Sequence, residues 1–508
     1  MGLMSQDSTP IRLLEAGIGL LILYILAGGI YRLYFSPLAR FPGPKLAALT
    51  LWYEFYFDVI LRGQFTFKIQ QLHKEYGPII RINPWELHFD DPDFYDEVYS
   101  RSRRTEKFPW SAAMFGNESS ILATVTHEHH RARRSLLNPF FSKQSINNLE
   151  PLIRQAISTL CSRFEDYKES KEPVALNAAF SALTSDIISE YTFGNSMNMM
   201  LKPGFAREWE EMTLKSSEFS LLHKQFPFFL PLLRRAPNWL IGKINPGMEA
   251  LIDFQQGLKE RVLPIVEGRQ TGNQTSTKQP TIFHALMDSS LPESEKTLQR
   301  LMDEVQTIIA AGALTTAHFL AVTSYHILAN PPILQRLRQE LEPVMPNPTR
   351  IPPLNQLEQL PFLKAVINEG FRLSYGVTGR LTRVYPDAPL LYKDQVIPAG
   401  TPVSMTSVLI HQNEALFPDP MEFRPDRWLE PGASQRLEKY LVNFSKGSRS
   451  CVGINLAKTE IPLALAAVFG QRFEMELFET DRSDVDLKHD FFNPCAKLDS
   501  KGVRVIIN

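Results

Sequence analysis

Residues Phe444 to Gly453 (FSKGSRSCVG) surround a cysteine with groups suited to holding it as a thiolate. They fit the pattern F-x-x-G-x-R-x-C-x-G at every fixed position. Phe444 is an apolar shield for the sulfur, and the glycines allow a tight turn that directs backbone N–H groups towards it. The fixed charge and forked donor of Arg449 suit a carboxylate. A lone cysteine is usually an inert core residue, but this pattern predicts that the Cys451 thiolate binds iron.

A long apolar segment is the second candidate for chemistry. Residues 298–330 can form one helix that ends before Pro331, and no formal charge occurs after residue 304 if its histidines are neutral. Such a helix lies either in a membrane or inside a large core. Its many Thr, Ser, Gln and His side chains favour the core. Its centre combines small, apolar and hydroxyl-bearing residues: Ala311, Gly312, Leu314, Thr315 and Thr316.

Two groups of charged residues accompany these segments. Glu369 and Arg372 are spaced i, i+3, so they share one face of a helix and can pair, and Arg427 follows in the segment FRPDRW. The run HRARR from His130 to Arg134 and the strand-like run RLTRV, which contains Arg383, add further cations. The neighbouring histidines also suggest zinc, but H-E-x-x-H is not completed, because Arg131 occupies the second histidine position.

Length and composition limit the class of protein. The chain has 508 residues, of which 44% are hydrophobic and 21% charged, which excludes a disordered, collagen-like or coiled-coil chain. Lys and Arg number 54 against 55 Asp and Glu, and this balance argues against a general nucleic-acid binder. Three cysteines cannot form a disulfide framework, so a reducing compartment is expected.

The periodicity predicts a helix-rich body with small sheets. Helical patterns dominate residues 65–380, while strand-like patches are short and lie at 79–82, 87–89, 390–396, 402–405 and 503–507. Two polar or proline-rich stretches, 268–280 and 344–353, are predicted to be surface connections. No G-x-G-x-x-G or Walker-type loop occurs, so the chain has no recognisable nucleotide or flavin site of its own.

Taken in order along the chain, these motifs resemble those of the haem–thiolate monooxygenases, the cytochrome P450 superfamily. The stretch 36–59 further resembles fungal microsomal members of the trichodiene-oxygenase-like group. The resemblance covers nearly the whole chain and implies a mainly α fold with small β-sheets, the cytochrome P450 fold, preceded by one transmembrane helix. It also implies haem b as cofactor, with Cys451 as the axial ligand.

The resemblance assigns roles residue by residue. Cofactor binding falls to Cys451, Arg449, Phe444, Gly453, His130, Arg134, Arg383, Ala311 and Gly312. A structural charge triad consists of Glu369, Arg372 and Arg427. Catalytic hydroxyl groups are those of Thr315 and Thr316, whereas Leu314 stands where the family usually has an acid that helps to relay protons. A hydrophobic substrate pocket is predicted from Phe108, Trp110, Met114, Phe115, Ile121, Leu314, Val377, Leu381, Phe491 and Phe492.

The N-terminus predicts a membrane anchor. Residues 13–31 contain one charged residue and, as a helix, span roughly 28 Å, close to one bilayer core. Arg32, Arg40 and Lys45 follow the helix, which predicts a single pass with a cytosolic body. A cleaved signal peptide ending near residues 27–29 is the alternative. The expected organisation is anchor 1–35, Pro/Gly-rich hinge 36–48 and one catalytic domain 49–508, in the endoplasmic reticulum membrane.

The predicted function is oxidation of a hydrophobic small molecule with O2. The resemblance implies hydroxylation or epoxidation with electrons from a separate NADPH-dependent flavoprotein reductase, and its fungal character suggests a terpenoid, or an alkaloid or polyketide with terpenoid parts, in secondary metabolism. One alternative is a haem–thiolate isomerase or dehydratase that acts on a peroxide without O2 or reductase. Another is a membrane-tethered haem-binding protein without turnover.

Overall fold

Helices form most of the chain. The computed structural model describes residues 9–112, 114–230, 246–270 and 281–508. Within these ranges the α-helices are α1 (Thr9–Ile30), α2 (Lys45–Leu49), α3 (Trp52–Phe55), α4 (Phe65–Tyr76), α5 (Tyr95–Val98), α6 (Pro109–Ala112), α7 (His127–Leu137), α8 (Lys143–Ser170), α9 (Leu176–Phe193), α10 (Arg207–Gln225), α11 (Pro246–Gln270), α12 (Ile282–Asp288), α13 (Leu298–Leu328), α14 (Pro331–Leu341), α15 (Leu354–Leu357), α16 (Pro361–Ser374), α17 (Ser407–His411), α18 (Ala433–Glu438) and α19 (Ile454–Phe469). The helix-rich fold class is confirmed.

The long apolar segment forms the central helix α13. The Thr297 hydroxyl accepts a hydrogen bond from the backbone N–H of Arg300 at 3.3 Å and caps its first turn. Most of its side chains are buried in the main hydrophobic core. It packs against α9, where the Thr184 hydroxyl donates to the Ala313 carbonyl at 2.8 Å. The segment is therefore a core helix, as the sequence predicts.

The sheets are small and mostly join distant parts of the sequence. The strands are β1 (Ile79–Arg81), β2 (Leu87–Phe89), β3 (Glu106–Lys107), β4 (Val174–Ala175), β5 (Arg383–Val384), β6 (Leu390–Tyr392), β7 (Gln395–Ile397), β8 (Pro402–Ser404), β9 (Met475–Leu477), β10 (His489–Phe491), β11 (Asn493–Cys495) and β12 (Arg504–Ile507). One sheet has the order β1-β2-β8-β5-β3, with β3 antiparallel to β5. A second has the order β4-β12-β9, and two hairpins pair β6 with β7 and β10 with β11.

The N-terminal helix stands apart from the core. Residues 12–35 form an apolar helical stretch with a mean hydropathy of 2.1 and no buried residue in its most apolar window. This exposure is compatible with a membrane anchor. The hinge that follows is fixed to the body, because the backbone N–H of Arg81 in β1 donates to the Pro42 carbonyl at 2.7 Å. The hinge also differs from prediction in that α2 begins inside it, directly after Pro44.

The structure describes one of the two predicted surface connections in full and the other only in part. Residues 344–353 follow α14 and contain no helix or strand, as predicted. Of the stretch 268–280, the first three residues end α11, and 271–280 lie outside the described residues.

Candidate active site

The cysteine-bearing loop is closed by its own backbone. The N–H of Cys451 donates to the Phe444 carbonyl at 2.8 Å. Gly447 has a φ of +78°, and a Cβ there would lie 2.5 Å from the Ser100 carbonyl oxygen, so a side chain cannot fit without displacing the backbone. The Phe444 ring packs edge-on to Phe371 of α16, with ring centroids 5.2 Å apart. The fold thus holds the loop in one shape.

The Cys451 sulfur borders interior space. Its side chain is accessible, yet burial raises the pKa of the thiol, while the Gly453 N–H and the charge of Arg134 act in the opposite direction. Accessibility and desolvation occur together when a side chain lines a cavity inside the protein. Helix α19 begins at Ile454, as predicted, so its N-terminus lies close to the sulfur. A metal ion bound to this sulfur would deprotonate it outright.

The central helix offers two accessible residues one turn apart. Ala311 and Thr315 are exposed although α13 is otherwise largely buried, so they border interior space. The Thr315 hydroxyl donates to the Ala311 carbonyl at 2.9 Å. Gly312 instead faces α9, where a Cβ would lie 2.8 Å from the Ile188 side chain. Thr316 is buried, and Leu314 is half-buried.

Cationic side chains gather beside the loop without counter-charges. Lys107, Arg134, Arg383 and Arg449 make no ion pair with any carboxylate in the described part of the chain. Most of their donors go to backbone carbonyls: Lys107 to Leu122, Arg134 to Ser450 at 2.7 Å, Arg383 to Leu381 and Thr382 at 3.1 and 3.2 Å, and Arg449 to Thr124 and Val125 at 2.6 and 2.5 Å. Arg134 also donates through Nε to the Asn138 side-chain oxygen at 2.8 Å. We call these four residues the cation cluster.

Burial and mutual repulsion lower the pKa values of groups in and beside the cation cluster. Burial, reinforced by Arg383 and Arg449, holds the pKa of Lys107 well below its usual range. Burial and the charge of Arg383 lower the pKa of Arg449 to about 9, and its Nε is buried without a partner in the described chain. Burial and the surrounding cations lower the pKa of His130 to about 2, so its ring is neutral. Such a group of charges is suited to an anionic ligand.

Comparison with known proteins gives the family. The sequence model of cytochrome P450 matches residues 42–499. A cytochrome P450 monooxygenase from Ascocoryne sarcoides is 46% identical over 510 aligned residues, which cover 98% of this chain and 99% of the relative. The chain belongs to the cytochrome P450 family. A tryptophan 6-hydroxylase from Fusarium equiseti is also 46% identical, over 94% of each chain. An N-acetyltryptophan 6-hydroxylase from Emericella nidulans is 43% identical, over 96% of this chain and 95% of the relative.

Family membership makes this chain a haem–thiolate monooxygenase that takes electrons indirectly from a reductase, as the sequence predicts. The residues present fit that cofactor. Haem b carries two propionate groups, and the cation cluster consists of two buried and two half-buried cations that make no ion pair in the described part of the chain. Cys451 supplies the accessible sulfur on the same side of the molecule, since Arg134 contacts Ser450 directly before it. No group of three or more His, Cys, Asp or Glu side chains in the described ranges could hold a separate metal ion.

In this P450, Glu369 of the E-x-x-R helix forms ion pairs with Arg372 and Arg427. Arg372 donates to Glu369 through Nη2 and Nε at 2.7 and 3.0 Å, and Arg427 donates through Nε at 3.1 Å. All three residues are buried. The sequence did not reveal two further donors to the same carboxylate, the Trp428 indole at 2.9 Å and the Arg424 backbone N–H at 2.8 Å. Three of the five donors, those of Arg424, Arg427 and Trp428, join the segment that follows α17 to α16.

The predicted pocket residues divide among several places. Met114, Phe115, Phe491 and Phe492 share one apolar cluster with Leu221 and Cys495, and the rings of Phe115 and Phe492 are 4.9 Å apart. Phe108 and Trp110 are neighbours at 5.9 Å. Ile121 packs on the main core and Leu381 on the core beside the larger sheet. The Val377 carbonyl accepts a hydrogen bond from Ser407.

Lys107 is a candidate cofactor residue that sequence reasoning missed. It enters the cation cluster because β3 pairs with β5, which places it opposite Arg383. We expect Lys107→Met to weaken haem binding about tenfold, at the lower end of what a hydrogen bond to a charged group contributes. The same change removes repulsion in the apoprotein, so the apoprotein gains thermal stability. Transfer of haem to an excess of apomyoglobin measures the affinity.

The matched control for this prediction is Lys143→Met, since Lys143 is exposed at the start of α8. It removes an equal charge from an exposed position outside the cation cluster, and we expect no change in haem affinity. Equal affinities of the Lys107 and Lys143 variants would exclude Lys107 from the haem site.

Proposed function

We propose that this cytochrome P450 is a membrane-anchored monooxygenase that hydroxylates or epoxidises a hydrophobic small molecule of secondary metabolism. The observation that carries the proposal is the combination of Cys451 with the cation cluster, since a thiol and an uncompensated set of cations suit one ligand that has both a metal ion and two carboxylates. When bound, thiolate-ligated haem supplies the activation and cleavage of O2.

The residues of the chain hold the haem, bind the water that carries protons, and exclude other water from the sulfur. Arg134, Arg383, Arg449 and Lys107 are proposed to hold the propionates. Phe444, packed on Phe371, keeps water from the sulfur. Thr315 presents its hydroxyl oxygen to interior space while it donates to Ala311, so this oxygen can accept a hydrogen bond from a water molecule and hold it in place. Gly312 allows the close contact of α13 with α9. His130 is proposed to donate a hydrogen bond to a propionate from its neutral ring.

The proposed substrate is apolar and ring-containing. The cluster of Met114, Phe115, Phe491 and Phe492 is apolar and aromatic, and such surfaces suit hydrophobic ligands. The terpenoid class predicted from residues 36–59 is the first candidate. An indole-bearing substrate is the second, because two relatives that match nearly the whole chain are named as hydroxylases of tryptophan and of N-acetyltryptophan.

The proposed location is the endoplasmic reticulum membrane. The exposed apolar helix over residues 12–35 supports a single-pass anchor, and the basic residues after it favour a body on the cytosolic side. A reductase in the same membrane would provide electrons. Lys446, beside the Cys451 loop, is engaged by Asp96 at 2.7 Å, so other side chains would have to attract this partner.

Feeding experiments test the function. Membranes that contain this chain and a P450 reductase are given NADPH, labelled O2 and a panel of terpenoids, tryptophan and N-acetyltryptophan. We expect one member to gain a single labelled oxygen atom, which mass spectrometry detects, and expect no product without reductase. Rearrangement of a hydroperoxide without reductase or label would instead indicate the isomerase alternative. Haem binding with no turnover of any kind would indicate the non-catalytic alternative.

A further inference from the structure

A cavity lies beside the central helix α13. Its volume is about 150 Å³, and it extends from Thr315 past His318 to the space between α10 and the C-terminal segment. Leu214 and Leu498 also line it, and both are exposed at the protein surface. The cavity therefore connects the hydroxyl-bearing centre of α13 with solvent.

Polar groups stand among apolar ones on the inner wall of this cavity. Ser181 of α9 has a buried hydroxyl group without a hydrogen-bond partner in the described chain. Burial lowers the pKa of His318 to about 4, so its neutral ring can both accept and donate. Buried water needs several polar partners and about 30 Å³ of liquid volume per molecule. The cavity meets both conditions for several water molecules.

Glu210 provides a carboxyl group on the same wall. Its side chain makes no ion pair or hydrogen bond within the described chain. The neighbouring cation on its own helix, Arg207, is engaged by Glu211 at 3.2 Å. The charged groups across the cavity, Asp484 and Lys497, pair with each other at 3.2 Å. Glu210 is thus left facing the cavity without a fixed counter-charge.

The central helix lacks an acid where protons are needed. Leu314 precedes Thr315, and its apolar side chain can neither hold nor release a proton. We propose that the cavity is a water-filled channel that supplies protons to Thr315, and that Glu210 is the proton donor at its wall. The inference rests on the proposed monooxygenase function, whose O2 cleavage consumes protons.

The proton balance is simple. The Glu210 carboxyl gives one proton to a channel water, and the chain of waters passes one proton on to the water molecule that hydrogen-bonds to the Thr315 hydroxyl oxygen. That water would release one proton to the reduction of O2, and the Glu210 carboxylate recovers one from solvent through the outer end. Burial raises the pKa of Glu210 to about 7, so the group changes its protonation state near neutral pH. The acid form dominates below that value, and supply declines as the pH rises through it.

The first test needs neither substrate nor turnover. Infrared difference spectra of the haem-loaded full chain, recorded on either side of pH 7, are expected to show the C=O stretch of a protonated carboxyl group that disappears as the pH rises. Burial also raises the pKa of Asp58 and Asp90 to about 6, so the band of Glu210 is identified as the part of this signal that Glu210→Gln removes. Glu208→Gln is the matched control, because Glu208 lies two residues before Glu210 on α10, is exposed and does not line the cavity. We expect this variant to leave the carboxyl signal unchanged.

The second test measures coupling. In Glu210→Gln, the fraction of NADPH electrons released as hydrogen peroxide is expected to rise at least about tenfold, which is less than the 10²-fold that a positioned general acid can contribute, because water still enters. Leakage in the wild type increases with pH through 7, whereas in Glu210→Gln it is high and independent of pH. His318→Leu, which interrupts the same water chain, increases leakage as well.

Two results would overturn the proposal. One is a carboxyl signal that is the same in the wild type and in Glu210→Gln, and the other is leakage with an unchanged pH profile in both Glu210→Gln and His318→Leu. Failure of the feeding experiment leaves the infrared test intact, so an incorrect substrate class and an incorrect proton donor are distinguishable.

Discussion

Cys451→Ser is expected to abolish thiolate ligation and turnover together. A serine hydroxyl is a hard, protonated donor and cannot replace a soft thiolate at iron. The reduced CO complex of the variant therefore loses the absorption band that thiolate ligation produces. Product formation falls to the level of membranes without the protein. The measurement is the reduced CO difference spectrum combined with the product assay.

The control for this variant is Cys161→Ala, which removes a thiol from the core of α8. It leaves a small cavity that costs on the order of 1 kcal/mol, and we expect the thiolate band and the activity to persist. A Cys451→Ser protein that retains a thiolate-type spectrum would exclude Cys451 as the ligand.

Glu369→Gln is expected to lower the free energy of unfolding by about 3–5 kcal/mol, the usual loss when one partner of a buried ion pair is removed. The variant keeps the volume of the side chain but removes the negative charge that Arg372 and Arg427 share. It also offers one acceptor oxygen in place of two, although Trp428 and Arg424 need acceptors as well. The temperature at which the haem spectrum is lost measures the effect.

An exposed ion pair on the same side of the protein provides the comparison. Glu438 pairs with Lys364 at 3.0 Å, and both side chains are exposed, so Glu438→Gln is expected to change stability by less than about 1 kcal/mol. Equal losses in the Glu369 and Glu438 variants would show that the triad is no more than a surface pair.

Local patterns in the sequence predict much of this site. The Cys451 loop, the start of α19 and the Glu369–Arg372 pair each depend on residues within a few positions of one another, so spacing alone carries the information. The burial of α13 is predictable for the same reason, since it follows from composition along one helix. These elements appear in the structure where the sequence places them.

Contacts between distant segments were not predictable. Lys107 stands beside Arg383 only because a two-residue strand pairs with another almost 280 residues later, and nothing near Lys107 indicates that pairing. Gly312 lies against α9 rather than beside interior space because the Ile188 side chain packs onto it. Glu210 and His318 meet at one cavity through the packing of α10 against α13. Single-sequence patterns contain no signal for these approaches.

The cation cluster has a consequence for biogenesis. A newly synthesised chain that closes its core before haem arrives must bring together four cationic side chains, two buried and two half-buried. We therefore expect haem-free protein to populate open, protease-sensitive states. Because a tightly bound ligand stabilises the native state in proportion to the logarithm of its concentration, the amount of this protein in a cell follows the haem supply. Supplementing a producing culture with a haem precursor therefore increases the yield of intact chain as well as its colour.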